Sequence, residues 1–186
     1  MIGIGSSNYD IAIYIANRPD IDDFPALTTL RPLAPGEVQY IGQQTSNHWR
    51  KVFNVSAKLL FEVRHNSVSP ENSDAPSILS WQQLRDQSLF QQNGKEALLF
   101  SPPLLNKDDN IVHIVAGKTY AKTLALNDLT WIDDQFAVSE SARLVVCPYL
   151  DYRQLSNIRI EKLVRIIKAL RNKSEKAISK RSLFST

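Results

Sequence analysis

The sequence is poor in the residues that metal and redox chemistry use. Cys147 is the one cysteine in 186 residues, which excludes an intramolecular disulfide framework and any zinc site built on several thiolates. His48, His65 and His113 lie far apart and show no ligand spacing, a poor match to a metal hydrolase. No metal and no cofactor are expected. Glycine (6) and proline (9) are too few for a collagen-like or low-complexity chain. No apolar run approaches the roughly 18 residues a membrane span needs, so no membrane association is expected. Met1 to Asn17 lacks the positive start of a secretory signal, and Asp10 interrupts its apolar stretch. The expected setting is cytoplasmic, a reducing compartment in which a lone thiol persists.

What is present is a globular composition, 43% hydrophobic and 22% charged in 21.1 kDa, enough for one domain with a proper core. The net charge of +3 is unevenly placed. Arg171, Lys173, Lys176, Lys180 and Arg181 against Glu175 give the last sixteen residues +4, which leaves the first 170 at −1. Residues 1–170 are therefore read as one α/β domain and 171–186 as a basic helix end or tail. Such a tail either holds phosphates through counterion release or is a solvated helix end whose cations suit the helix dipole.

Ile11-Ala-Ile-Tyr-Ile15 reads as a buried strand closed by the turn cluster Asn17-Arg-Pro-Asp20. Prolines 19, 25, 32 and 35 make the stretch Asp20 to Gly36 an ordered loop. Trp49, Val52, Phe53, Leu59 and Leu60 recur at helical intervals, which predicts a helix from about Asn47 to Val63. Asn66 to Ser77 is polar and loop-like. Ser80 caps a short helix through Trp81, Leu84 and Leu89. Strands follow at Ala97–Phe100, Ile111–Val115 and Ala142–Cys147, with a short helix at Tyr120–Leu126 before the last. A long amphipathic helix closes the pattern, with Ile158, Ile160, Leu163, Val164, Ile167 and Leu170 on one face. Strands that are apolar throughout are covered on both sides. The expected fold is therefore a three-layer α/β/α domain around a short, mainly parallel sheet.

Several familiar motifs fail. Gly3-Ile-Gly5 follows no predicted strand and lacks a third glycine, so no dinucleotide turn can be built. Gly117-Lys118-Thr119 resembles the end of a phosphate loop, but the glycine required five residues earlier is Val112, inside a strand. No G-x-S-x-G elbow exists. Cys147 sits at a strand end beside Pro148, with nothing evident to lower its pKa, and reads as a buried structural cysteine.

Three segments, in order, are similar to the uracil-DNA glycosylase superfamily, and most of all to its mismatch-specific and hypoxanthine-type branches. Ile11 to Asp20 is a strand entering a proline loop, where the family has a strand and G-I-N-P-G. Asn47-His-Trp49-Arg-Lys-Val-Phe53 resembles N-R-F-W-K followed by apolar residues. Val145-Val-Cys147-Pro148-Tyr149, continuing to Ile158-Arg-Ile-Glu161-Lys-Leu-Val164, resembles a strand ending in N-P-S or H-P-S and a helix with an E-K-L-V start. His113 to Ala121 looks like the family's apolar strand with L-G-K-x-A. Together they span Ile11 to about Leu170. Trp49 and Glu161 also fit as ordinary helix residues.

The resemblance implies an enzyme that flips a base from DNA and hydrolyses its N-glycosidic bond without metal or cofactor. In such enzymes the first loop holds the attacking water and the last loop faces the base. Here that assigns Asn17 or Asp20 as the catalytic residue, and Asn47, Cys147, Pro148 and Tyr149 to the base. Tyr40 is the nearest candidate for the stacking aromatic, although Gly42 fits the strict spacing better. Lys118, Tyr152 and Arg153 are assigned to the nucleic acid. Both loops depart from the pattern. Alignment on Pro19 puts Arg18, which cannot accept a hydrogen bond, in the Asn position. Cys147 replaces a stronger donor, at a cost on the order of 3 kcal/mol in barrier height. The chain is thus either a divergent glycosylase or a non-catalytic scaffold that binds nucleic acid or a protein partner.

Overall fold

The computed structural model describes residues 1–65, 78–106 and 110–182. In chain order the elements are β1 (Gly3–Gly5), β2 (Ile11–Tyr14), β3 (Leu30–Arg31), α1 (Glu37–Gln44), α2 (Asn47–His65), α3 (Trp81–Gln87), β4 (Glu96–Leu99), β5 (Val112–Ala116), α4 (Lys118–Thr123), β6 (Thr130–Trp131), β7 (Ala137–Ser139), β8 (Leu144–Cys147) and α5 (Asn157–Ser182). The polar stretch Asn66 to Ser77 lies outside the described residues, as do residues 183–186.

The strands form one mixed sheet in the order β3-β1-β4-β2-β5-β8-β7-β6. Its centre is the parallel set β4-β2-β5-β8, in which Ile13 stands beside Leu98 and Ile114, and Val115 beside Val146. Antiparallel pairs extend it on both sides, β1 on β4 and then β7 and β6 beyond β8. The sheet is therefore α/β as expected, but wider and more mixed than a short parallel core.

Side-chain alternation along the central strands divides the interior in two. Ile11, Ile13, Ile114 and Val145 join Trp49, Phe53 and Leu60 of α2 and Leu163 and Ile167 of α5 in the larger core, to which α1 and α3 add Ile41 and Leu84. Ala12, Tyr14, Val115 and Val146 face the other way and meet Ala121 of α4. Helices thus cover both faces unequally, four on one side and the six-residue α4 on the other. The central strands need no polar face because neither of their faces meets water.

Four features were not legible in the pattern. Gly3-Ile-Gly5 is a strand, and its glycines serve close packing rather than a ligand. A Cβ on Gly3 would lie 2.3 Å from the Leu98 carbonyl oxygen and one on Gly5 2.5 Å from that of Glu96, so only glycine lets β1 approach β4. The proline-rich stretch ends in α1, fixed at its start by Glu37, whose carboxylate accepts from the Ala34 N–H at 2.6 Å and pairs with Arg31 at 2.9 Å. β6 and β7 are too short for a pattern. α4 starts at Lys118, two residues before the expected position.

Ser80 caps α3 as expected, accepting from the Gln83 N–H at 3.1 Å. Glu96 is a buried carboxylate, 1% exposed, held by the Arg64 guanidinium at 2.5 Å and the Lys95 N–H at 3.0 Å. α5 runs unbroken from Asn157 to Ser182, so no boundary falls at Leu170 in the backbone. Its Arg171 pairs with Asp10, just ahead of β2, at 3.3 Å. No helix among the described residues is long and apolar enough to cross a membrane.

Candidate functional site

Because β2, β5 and β8 are parallel and in close register, the chain leaves all three at one edge of the sheet. In open α/β sheets the crevice outside these carboxyl ends is where ligands bind. Asn17 leaves β2 there, Gly117 leaves β5 and Pro148-Tyr149 leaves β8. The first turn of α2 closes the fourth side.

A cavity of about 530 Å³ opens between them, lined by Asn17, Ser46, Asn47, His48, Lys51, Tyr149, Leu150, Asp151 and Gln154. A second, of about 400 Å³, adjoins it through Asn17, Ser46 and His48 and adds Arg18, Asp20, Thr45 and Trp49. The loops after β2 and β8 therefore face one shared hollow.

Tyr149 is the joint of this hollow. Its hydroxyl lies 2.9 Å from His48 Nε2, and the Asn17 side chain hydrogen-bonds to the same phenolic oxygen. Burial pushes the Tyr149 phenol up to about 12, against the Asn17 hydrogen bond, which favours the phenolate. Burial pulls the His48 imidazole below its ordinary value of 6.5, with Asp151 opposing and Lys51 assisting. Neutral His48 accepts the Tyr149 proton at Nε2. Asn17, whose hydrogen bond favours the phenolate, donates its amide N–H to the phenolic oxygen, which leaves its Oδ1 available as an acceptor. The Tyr149 ring packs over Gly117, where φ is +108° and a Cβ would meet the ring at 3.4 Å.

The remaining polar groups are tied to one another. Lys51 donates to Asp151 at 2.8 Å, with each side chain about 20% exposed, which joins α2 to the loop after β8. Burial works against the Asp151 carboxylate, but the Lys51 ammonium and the Arg153 N–H hold it below the usual range. Asn47 Oδ1 accepts from Arg50 at 2.8 and 3.0 Å. Arg18 lines the second cavity, and its guanidinium donates to the carbonyls of Pro25 and Leu27 at 3.1 and 3.0 Å, which anchors the loop.

Of the residues assigned from the sequence, Asn17, Asp20, Asn47 and Tyr149 meet at the hollow. Tyr152 and Arg153 follow on the same loop, exposed, with the guanidinium over the Tyr152 ring. Four residues that the resemblance assigned to the site do not line the hollow. Cys147 is fully buried within the larger core, and burial pushes its thiol up to about 12; β8 turns this side chain inward, away from the loop. Pro148 is also buried and shapes the turn without lining the cavity. Tyr40 lies outside both cavities on α1, its hydroxyl 3.5 Å from Asp22. Lys118 lies over the Trp131 ring and donates to the Asp134 carbonyl.

His48, Lys51 and Asp151 were missed. His48 stands inside the segment that carried the resemblance, but a histidine weighed only as a metal ligand is passed over when no partner histidine is nearby. The first turn of a helix was the signal for it. Lys51 and Asp151 are a hundred residues apart, and nothing local marks them as a pair. No group of three or more histidine, cysteine or acidic side chains that could hold a metal is found among the described residues.

Residues 2–168 match the model of a family of unknown function (DUF6942), and the chain belongs to that family. No curated protein and no solved structure matches it.

Proposed function

We propose that the hollow binds a nucleobase and hydrolyses its N-glycosidic bond, and that the chain is a divergent uracil-DNA glycosylase-like protein, with DNA the carrier that the resemblance implies. The observation that carries this reading is the meeting of Asn17 and Tyr149 across one cavity. The resemblance requires this of the first and last loops, and it need not have followed from sequence order.

The chemistry uses the chain's own groups. Asn17 Oδ1 accepts a hydrogen bond from water and aims its oxygen at the anomeric carbon, on the face opposite the base. The carbon–nitrogen bond breaks and its electron pair leaves with the base, through an oxocarbenium-like sugar. The water oxygen bonds to the anomeric carbon, and its proton passes to solvent or to the departing base. The first turn of α2, with its N–H groups and the Asn47 amide, offers donors to the negative charge that develops on the base. Asp20 lies on the rim and has no part in this step.

The test is release of base from labelled duplexes holding uracil, hypoxanthine or xanthine. Asn17→Ala is expected to lower turnover by about 10² while leaving the fold intact. Absence of base release from every duplex and from the corresponding nucleosides at high protein excess, with Asn17 intact, argues for the second reading. In that reading the same hollow holds a base without cleaving it, and its specific support is the burial of Cys147, which removes a donor from the last loop.

A further inference from the structure

Resting on that reading, we infer that the hollow takes the base of a monomeric, uncharged nucleoside rather than a base flipped from duplex DNA. The inference comes from how the charges around the cavity are already used.

Duplex DNA is gripped mainly through its phosphates, by cations that release counterions on binding. Here the side-chain cations near the mouth each have a hydrogen-bond or ring partner within the protein. Lys51 is paired with Asp151, Arg50 with Asn47, Arg18 with two backbone carbonyls, and Lys118 with the Asp134 carbonyl. Arg153 lies over the Tyr152 ring, and Arg159 donates to the Gln154 carbonyl.

The strongest concentration of positive charge in the chain is at the wrong end. α5 starts at Asn157, just beyond the hollow, and runs back along the sheet until Arg171 pairs with Asp10, which precedes β2. The backbone of α5 beyond Arg171 therefore continues from the opposite edge of the sheet.

In the larger cavity the Lys51 and Asp151 charges compensate each other, and the other polar groups are neutral and mixed in kind. Asn17, Asn47 and Gln154 each carry a donor and an acceptor, and Tyr149 and His48 are uncharged at neutral pH. Such a lining suits the edge of a heterocycle that has both carbonyl and N–H groups. A cavity of about 530 Å³ is in the usual range for small-molecule sites, about 300–1,000 Å³.

The experiment gives the full chain uridine, inosine and xanthosine with their 2′-deoxy forms. In parallel it receives single-stranded and duplex oligonucleotides carrying the same bases, each at about 50 and 200 mM salt. Release of free base is followed chromatographically. The expected result is release from nucleosides, no faster release from oligonucleotides, and rates that salt leaves unchanged within about twofold. Release confined to oligonucleotides and falling steeply with salt would overturn the inference while leaving the glycosylase reading intact. Release from nothing defeats hydrolysis, and binding then decides the ligand class. Nucleosides, but not duplexes, that quench Trp49 and shift the His48 imidazole resonances sustain the inference. Binding of duplex alone, or of neither, removes it.

Discussion

The Tyr149 hydroxyl meets His48 Nε2 at 2.9 Å and so ties the loop after the last central strand to the first turn of α2. The two residues are 101 positions apart in the chain. With Asn17 on the same oxygen, one phenol fixes three segments of the hollow.

Removing that hydroxyl isolates its contribution. Tyr149→Phe keeps the ring over Gly117 but leaves His48 Nε2 and the Asn17 amide without this partner. A stability loss of about 1 kcal/mol is expected from urea unfolding. If Asn17 acts as proposed, turnover should fall by about ten- to a hundredfold with little change in KM. A stability loss with turnover untouched would show that the hydroxyl only holds the loops together.

Acidification should be felt through His48. Burial depresses its pKa, with Asp151 opposing and Lys51 assisting, so the folded chain binds fewer protons than the unfolded one just below pH 6.5. Stability is therefore complete above about pH 6.5 and declines as pH falls from there towards the folded pKa. Thermal midpoints between about pH 7.5 and 5.5 should trace this decline, and His48→Asn should flatten it. Asp151 does not confuse the window, because its carboxylate is depressed and its contribution is lost only below its ordinary value of 3.8.

Cys147 should behave as part of the core. Its thiol is pushed up to about 12 by burial, so no thiolate is present near neutral pH. A thiol reagent added to the native protein should leave it unlabelled, and labelling should appear with unfolding. Cys147→Ser is expected to cost about 1–3 kcal/mol by placing a hydroxyl in an apolar site, with no change in any base release. Rapid native labelling would put the side chain back at the surface.

Glu96 and Arg64 offer a test away from the hollow. The carboxylate is 1% exposed and the guanidinium side chain 34%. Arg64→Ala strands a buried carboxylate and is expected to cost about 3 kcal/mol, visible in the denaturant midpoint. Replacing both residues should cost less than the sum of the single changes, since the second removes the charge that the first left unpaired.

The larger elements were legible because their signals are local. The apolar run at Ile11, the helical spacing from Trp49 to Leu60 and the face from Ile158 to Leu170 each reveal an element on their own. α1 was hidden behind four prolines, with only Val38 and Ile41 as buried apolar side chains. β1 looked like a ligand loop because glycine has two uses, and only the position of β4 tells them apart. In the hollow, Asn17 and Tyr149 were found because each sits in a loop at a strand end. The Lys51–Asp151 pair was not, because its meaning arises from a tertiary contact. Cys147 was legible as a buried structural cysteine, and only the role implied by the resemblance is lost, since a residue at a strand's end still obeys that strand's alternation.

The position of β1 bears on how the chain is assembled. Gly3 pairs with Leu30 on one side and with Leu99 on the other, so this first-made strand lies between a near neighbour and a distant one. During synthesis it can pair with β3 early, but its other edge stays open until β4 has left the ribosome. β2, which needs both β4 and β5, waits longer still. Sheets closed by such remote partners fold slowly, and their half-built edges invite pairing with other chains. A nascent chain stalled before residue 99 would therefore be a client for chaperones, whatever the finished hollow binds.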